Sequence, residues 1–277
     1  MPAEHAIPFF SWVDSTVTPQ AVLICIHGLG LHAGTYRTLG ERIARLGIAT
    51  YAIDVRGFGA WTASQQCKLD FDGCAQDLQA KIAELRARHL GLPIFLLGES
   101  LGGAIATRFA ADNSGLIDGL ITSAPVRRLS SHKLEVLRSL WQFICHPLRP
   151  INLSSHIIDR APYLVAVNDD RAFRMHFSAS ELIHLCQFME TSFRKTVDLS
   201  GIPVLVLQGH GDDVVDSKST LAFFDRLKTK DKSLIVLGDS EHLIFQTLEI
   251  HPKALQFVQE WISERIPAAG KELRQVS

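Results

Sequence analysis

The sequence has no apolar run of the roughly 18 residues that a membrane-crossing helix needs, no C-x-x-C pair and no block of like charge. The first absence argues against a transmembrane protein. The N-terminal Met1-Pro2-Ala3-Glu4-His5 also lacks the basic start and apolar stretch of a secretory leader, so none is expected. Cysteine is scarce and odd in number: five, at positions 25, 67, 74, 145 and 186. This argues against a disulfide framework or a zinc site, and free thiols point to the reducing cytoplasm. Charge is balanced, with 28 Lys and Arg against 29 Asp and Glu, so nucleic acid is not an expected partner. Internal repeats and low-complexity segments are missing too. What remains is an ordinary globular composition, 47% hydrophobic and 21% charged, in a chain of 277 residues long enough to bury a large core.

Within it, short apolar runs alternate with segments of helical period. Ala21 to Ile26, Ile48 to Ile53, Ile94 to Leu97, Leu116 to Ile121, Val204 to Leu207 and Leu234 to Leu237 read as strands, apolar on both faces and therefore covered on both. Thr35 to Leu46, Cys74 to His89, Leu101 to Ala111, Ser217 to Lys228 and Pro252 to Arg265 read as helices. The alternation predicts an α/β fold with a mostly parallel sheet. Phe9 to Val13 is a further strand, expected in an edge hairpin. From about 126 to 197 strand character lapses, and helical patterns appear at Lys133 to Cys145 and Ser180 to Arg194. This stretch reads as a helical cap inserted into a single domain spanning 1–277, over the end of the sheet where α/β proteins bind ligands.

Chemistry concentrates at strand ends. Ile94 to Leu97 leads into Gly98-Glu99-Ser100-Leu101-Gly102 and then a helix. A strand–turn–helix with G-x-S-x-G at the turn projects the serine hydroxyl clear of the sheet, with the helix dipole behind it. An acyl-transfer site also needs two preorganised N–H donors for the oxyanion. Leu101, after the nucleophile, supplies one. Leu29 in His27-Gly28-Leu29-Gly30 supplies the other, and its side chain is expected in the acyl-pocket wall. His27 reads as a structural hydrogen-bonding residue. The serine needs a base and an orienting acid, which in this arrangement follow it in the order acid, then His. The loop after Val204 to Leu207 offers Asp212, and the loop after Leu234 to Leu237 offers His242. Of their rivals, Asp213 would point elsewhere, Asp216 would cap the next helix, His210 is too early, and His251 sits at a helix start. Gly28-x-Gly30 and Gly57-x-Gly59 lack the third glycine of a nucleotide fingerprint, and no ligand-spaced cluster implies a metal. No cofactor is expected.

These residues resemble the α/β-hydrolase superfamily, and within it the monoacylglycerol lipase and lysophospholipase-like group, over nearly the whole chain. The similar segments are His27 to Tyr36, Asp54-Val55-Arg56-Gly57-Phe58-Gly59, Gly98 to Gly103, Gly209-x-x-Asp212 and Glu241-His242. The resemblance implies a triad of Ser100, Asp212 and His242 with an oxyanion hole at Leu29 and Leu101. It implies a small acyl ester as substrate; a cap reaching lipid would touch a membrane surface peripherally, but no basic amphipathic helix in the sequence marks such contact. The chain departs from the group at Glu99 and Phe58, where histidine is frequent, and at Ala60-Trp61-Thr62. These departures leave the triad intact, but with them the resemblance no longer fixes a lipid head group. Leu134, Leu137, Leu140, Trp141, Phe143 and Ile144, then Leu182, Leu185, Phe188 and Met189, give the cap apolar stripes, most of which should pack it on the body. The same triad would also serve a thioesterase, an amidase or an aminopeptidase, and a hydrolase-like fold can serve as a non-catalytic receptor.

Overall fold

The computed structural model describes residues 6–64, 67–125, 151–152 and 173–267. Seven strands form one sheet in the order β1-β3-β2-β4-β5-β8-β9. They are β1 (Phe9–Trp12), β2 (Ala21–Ile26), β3 (Ile48–Ile53), β4 (Ile94–Glu99), β5 (Gly119–Ser123), β8 (Val204–Gly209) and β9 (Lys232–Leu237). Every pairing is parallel except that of β1 with β3. Strands β6 (Ile151–Asn152) and β7 (His176–Phe177) make a separate two-residue antiparallel pair.

Successive residues of a strand point to opposite faces, and both faces of this sheet are covered. On β2, Val22, Ile24 and Ile26 enter one core, which packs against α2 (Phe71–Arg88) and α3 (Leu101–Asp112). Ala21, Leu23 and Cys25 enter the other, which packs against α1 (Arg37–Ala44) and the C-terminal helix Pro252–Glu264. That double burial is why the strands read as unbroken apolar runs rather than as an alternation. Helix starts are fixed by side chains. Asp70 caps α2 through the Gly73 N–H at 2.8 Å, and Asp216 caps Ser217–Arg226 through the Lys218 N–H.

Some boundaries differ from the sequence reading. β1 is an edge strand, but it pairs with β3 rather than forming a hairpin with its neighbour β2. The strand expected from Leu116 begins at Gly119. Ser114–Leu116 form a 3-10 turn, and the Asp118 carboxylate accepts the Ile94 N–H at 2.8 Å, holding the entry to β4. The helix expected from Thr35 begins as a 3-10 turn at Ala33–Tyr36.

Most of the expected cap, including Lys133 to Cys145 and its apolar residues, lies outside the described residues. From residue 173 the chain is described again. The following helix α4 (Ala179–Lys195) opens with a Ser178/Glu181 capping box. It lies against α3, with Leu185, Met189 and Phe193 buried in the shared core. Phe188 stacks on Phe71 with ring centroids 3.9 Å apart. The apolar stripe of this helix therefore packs on the body. The remaining helices are α5 (Ser217–Arg226) and α6 (Pro252–Glu264). No helix among the described residues is long and apolar enough to cross a membrane.

Candidate active site

Because β2, β4, β8 and β9 run parallel, their carboxyl ends share one edge of the sheet, and the loops that follow them meet there. β4 is central, between β2 and β5. Ser100 follows it at φ 57°, ψ −117°, a left-handed backbone that non-glycine residues rarely adopt. The turn is held by the Ser100 N–H donating to the Ser123 carbonyl at 2.9 Å. Its sharpness brings backbones into contact. A Cβ on Gly98 would collide with the Gly102 carbonyl, and one on Gly102 with the carbonyl of Ile26. The glycine spacing in the motif is thus a steric requirement, and it presses the start of α3 against the end of β2.

The two expected donors lie next to the segments that this contact joins. Leu101 opens α3, where first-turn N–H groups have no intrahelical acceptor. Leu29 lies in the loop after β2, between Gly28, whose N–H donates to Gln246 Oε1 at 3.2 Å, and Leu31, whose N–H donates to the Gly28 carbonyl. The Leu29 side chain is partly buried against the core.

The loops after β8 and β9 are tied to each other by main-chain bonds, His210 N–H to the Leu237 carbonyl and Gly211 N–H to the Ser240 carbonyl. This brings Asp212 to His242, whose Nδ1 lies 2.9 Å from Asp212 Oδ2. A carboxylate only accepts, so Nδ1 carries the proton and Nε2 keeps its lone pair for a second partner. The carboxylate is itself fixed. Its Oδ1 accepts the N–H groups of Val214 and Val215, each at 2.9 Å, and Oδ2 accepts Gln208 Nε2 at 3.0 Å. Burial works to raise its pKa, but the hydrogen bond and charge of His242, with the Val215 and Gln208 donors, outweigh it and hold the carboxyl below its ordinary range.

The other acids and histidines fall elsewhere. His251 caps α6 through the Lys253 N–H, and His210 is exposed. His27 is fully buried and bonded on both nitrogens. Nδ1–H donates to the Gly28 carbonyl at 2.8 Å, and Nε2 accepts the Val55 N–H at 3.0 Å. Burial pulls its pKa down to about 4, so the ring is neutral and structural. Among the described residues no cluster of His, Cys, Asp or Glu could hold a metal ion.

Sequence reasoning missed what Glu99 does. Its side chain is wholly buried and turned onto the segment after His242, where it accepts the N–H groups of Ile244, Phe245 and Gln246. Phe58 is equally buried, edge-on to His27 with centroids 5.7 Å apart. Two of the three departures from the group, Glu99 and Phe58, are therefore interior. A carboxylate set between an apolar strand and a nucleophile was the one signal available, since an acid there needs several donors to be buried at all.

The chain matches the family described as serine aminopeptidase S33 over residues 17–249. Human monoglyceride lipase is 27% identical over 273 residues, covering 95% of this chain and 88% of that one. Among solved structures, a soluble variant of monoglyceride lipase from Saccharomyces cerevisiae, bound to a substrate analog, superposes with a TM-score of 0.78 at 19% identity. It covers 94% of this chain and 92% of that one. Monoacylglycerol lipase from Paleococcus ferrophilus gives 0.75 at 22%, covering 94% and 100%. At these identities the structural likeness is one of fold.

Proposed function

The chain belongs to the serine aminopeptidase S33 family of hydrolases, and we propose that Ser100, Asp212 and His242 are the triad through which it cleaves its substrate. The enzyme is an ester-cleaving serine hydrolase of the monoacylglycerol lipase-like kind. The observation that carries the triad is the Asp212–His242 bond. It leaves Nε2 as the base, on the sheet edge where the strained turn holds Ser100. A receptor has no use for that arrangement.

The reaction follows from the geometry. Nε2 of His242 takes the proton from Ser100 Oγ as Oγ attacks the ester carbonyl carbon. The carbonyl oxygen, now negative, is received by the N–H groups of Leu29 and Leu101 at the start of α3. The imidazolium is stabilised by Asp212 and returns its proton to the departing alcohol, which breaks the C–O bond and leaves an acyl-Ser100. Water, deprotonated by the same Nε2, attacks the acyl carbon; the acyl–Oγ bond then breaks, the imidazolium returns the proton to Ser100 Oγ, and the acid leaves. The substrate we assign is a monoacylglycerol or a similar acyl ester, supported by the named relatives. Free thiols at Cys25, Cys67, Cys74 and Cys186 support a cytoplasmic setting.

The test is a panel of esters of varied acyl length and alcohol, run beside thioesters and aminoacyl amides, on the parent and on Ser100→Ala. Ester hydrolysis that falls by about 10⁶-fold in the variant supports the reading. A Ser100→Ala protein with full esterase activity would overturn the mechanism. Rapid aminoacyl-amide cleavage without ester hydrolysis would move the substrate to peptides.

A further inference from the structure

We infer that Glu99 and Gln246 form one positioning tie, which holds the base loop and the oxyanion loop in register with the nucleophile. This rests on the triad proposed above. Both side chains are wholly buried. Glu99 is the last residue of β4, immediately before Ser100. Its Oε1 accepts the Ile244 N–H at 2.6 Å and the Phe245 N–H at 3.2 Å, with the latter shared by Oε2 at 3.4 Å. Oε2 accepts the Gln246 N–H at 3.1 Å and Gln246 Nε2 at 3.0 Å. The carboxylate thus grips three consecutive residues, two to four positions beyond His242. Every partner is a donor, and all of them favour the charged form, against the burial that pushes the carboxyl pKa up.

Gln246 carries the tie onward. With Nε2 on the carboxylate, its Oε1 accepts the Gly28 N–H at 3.2 Å and the Thr35 hydroxyl at 3.0 Å. The amide cannot be turned round, since the carboxylate needs a donor and the Gly28 N–H needs an acceptor. Gly28 precedes Leu29, the proposed oxyanion donor. Two adjoining side chains therefore connect the ends of β2 and β4 and the segment leading from His242 into α6. Those loops are brought together from positions 28, 99 and 246 of the sequence. Neither side chain faces the substrate, so both act through His242 and the Leu29 N–H.

The experiment uses Glu99→Gln, which turns an NH₂ group toward backbone donors, and Gln246→Leu, which leaves the Gly28 N–H without its acceptor. Active sites are first titrated with a fluorophosphonate probe, and kcat and KM are then measured per titrated site on an ester. We expect kcat per site to fall about 30-fold in Glu99→Gln and about 10-fold in Gln246→Leu, the scale of a misplaced reacting group, with KM within about twofold of the parent. The double variant should resemble the worse single one, because both cut the same tie. A smaller titratable fraction with parental kcat per site would overturn the proposal, showing mere structural support. Parental fraction and parental kcat would overturn it equally. Should both variants fail to fold, Thr35→Val removes the hydroxyl that donates to Gln246 Oε1 and to the His32 carbonyl. It should lower kcat about two- to threefold at constant KM, and no change would sink the tie. Ser100→Ala is run in parallel. Full activity there defeats the triad itself, whereas an inactive Ser100→Ala beside an unaltered Glu99→Gln defeats only the tie.

Discussion

The loop after β8 and the last residue of β4 each send a buried carboxylate toward the segment that carries His242, and the two groups differ in their partners. Asp212 receives a ring N–H from His242 together with the Val214, Val215 and Gln208 donors. Glu99 receives main-chain N–H groups and one amide. Burial opposes the charge on both. On Asp212 the hydrogen bond and charge of His242 prevail and the pKa falls; on Glu99 burial prevails and it rises. The residue class therefore does not set the role of a buried acid. A carboxylate bonded to an imidazole N–H is placed to stabilise a proton on that ring, whereas one bonded to peptide groups is placed to hold a segment.

The contrast is most directly broken at Asp212. Asp212→Asn can present an NH₂ group to Nδ1 and so favour the wrong tautomer. We expect kcat on an ester to fall by about 10⁴-fold while far-ultraviolet circular dichroism stays parental. A loss no larger than that of Glu99→Gln would erase the distinction between the two acids.

His27 sharpens the comparison from the side of stability, as a buried ring with no carboxylate bonded to either nitrogen. Its folded pKa, about 4, lies below the ordinary value near 6.5. In that interval the unfolded chain binds a proton that the folded chain refuses. The stabilisation is thus complete above about pH 6.5 and is lost as the pH falls through the folded value, by on the order of 3 kcal/mol. Urea unfolding of the parent at pH 7 and pH 4 should show this loss, and His27→Gln should show less of it. Equal pH dependence in the two proteins would refute it.

The smallest effect is expected at Gln208, whose amide donates to Asp212 while its Oε1 accepts the Thr220 hydroxyl. Gln208→Leu removes one of four donors from the acid. It should lower kcat/KM about three- to tenfold, the net worth of one hydrogen bond of ordinary strength. A loss as deep as that of Asp212→Asn would mean that Gln208, not His242, governs the acid.

Much of the proposed site was legible in the residues because the chemistry proposed for it needs particular side chains at particular strand ends. Ser100, Asp212 and His242 stand out by type and by order, and the apolar runs of β2 to β5 announce a sheet covered on both faces. The job of Glu99 was hidden for a physical reason. Three of its donors are peptide N–H groups of Ile244, Phe245 and Gln246, which almost any sequence would supply, so no pattern marks them. The link from Gln246 to Gly28 joins positions far apart in the chain and shows only once the sheet is assembled. The pairing of β1 was hidden likewise. Neighbourhood in sequence favours a hairpin with β2, but β4 occupies the other side of β2, and β3 takes the outer position that β1 then caps.

The backbone of Ser100 sits where a side chain costs on the order of 1–3 kcal/mol and where glycine relaxes. Heat resistance and turnover therefore pull in opposite directions at this one position. A population of this chain selected for survival at high temperature alone would be drawn toward replacing the proposed nucleophile with glycine. Hardening the protein for use means screening for turnover in every round and seeking the added stability away from the turn.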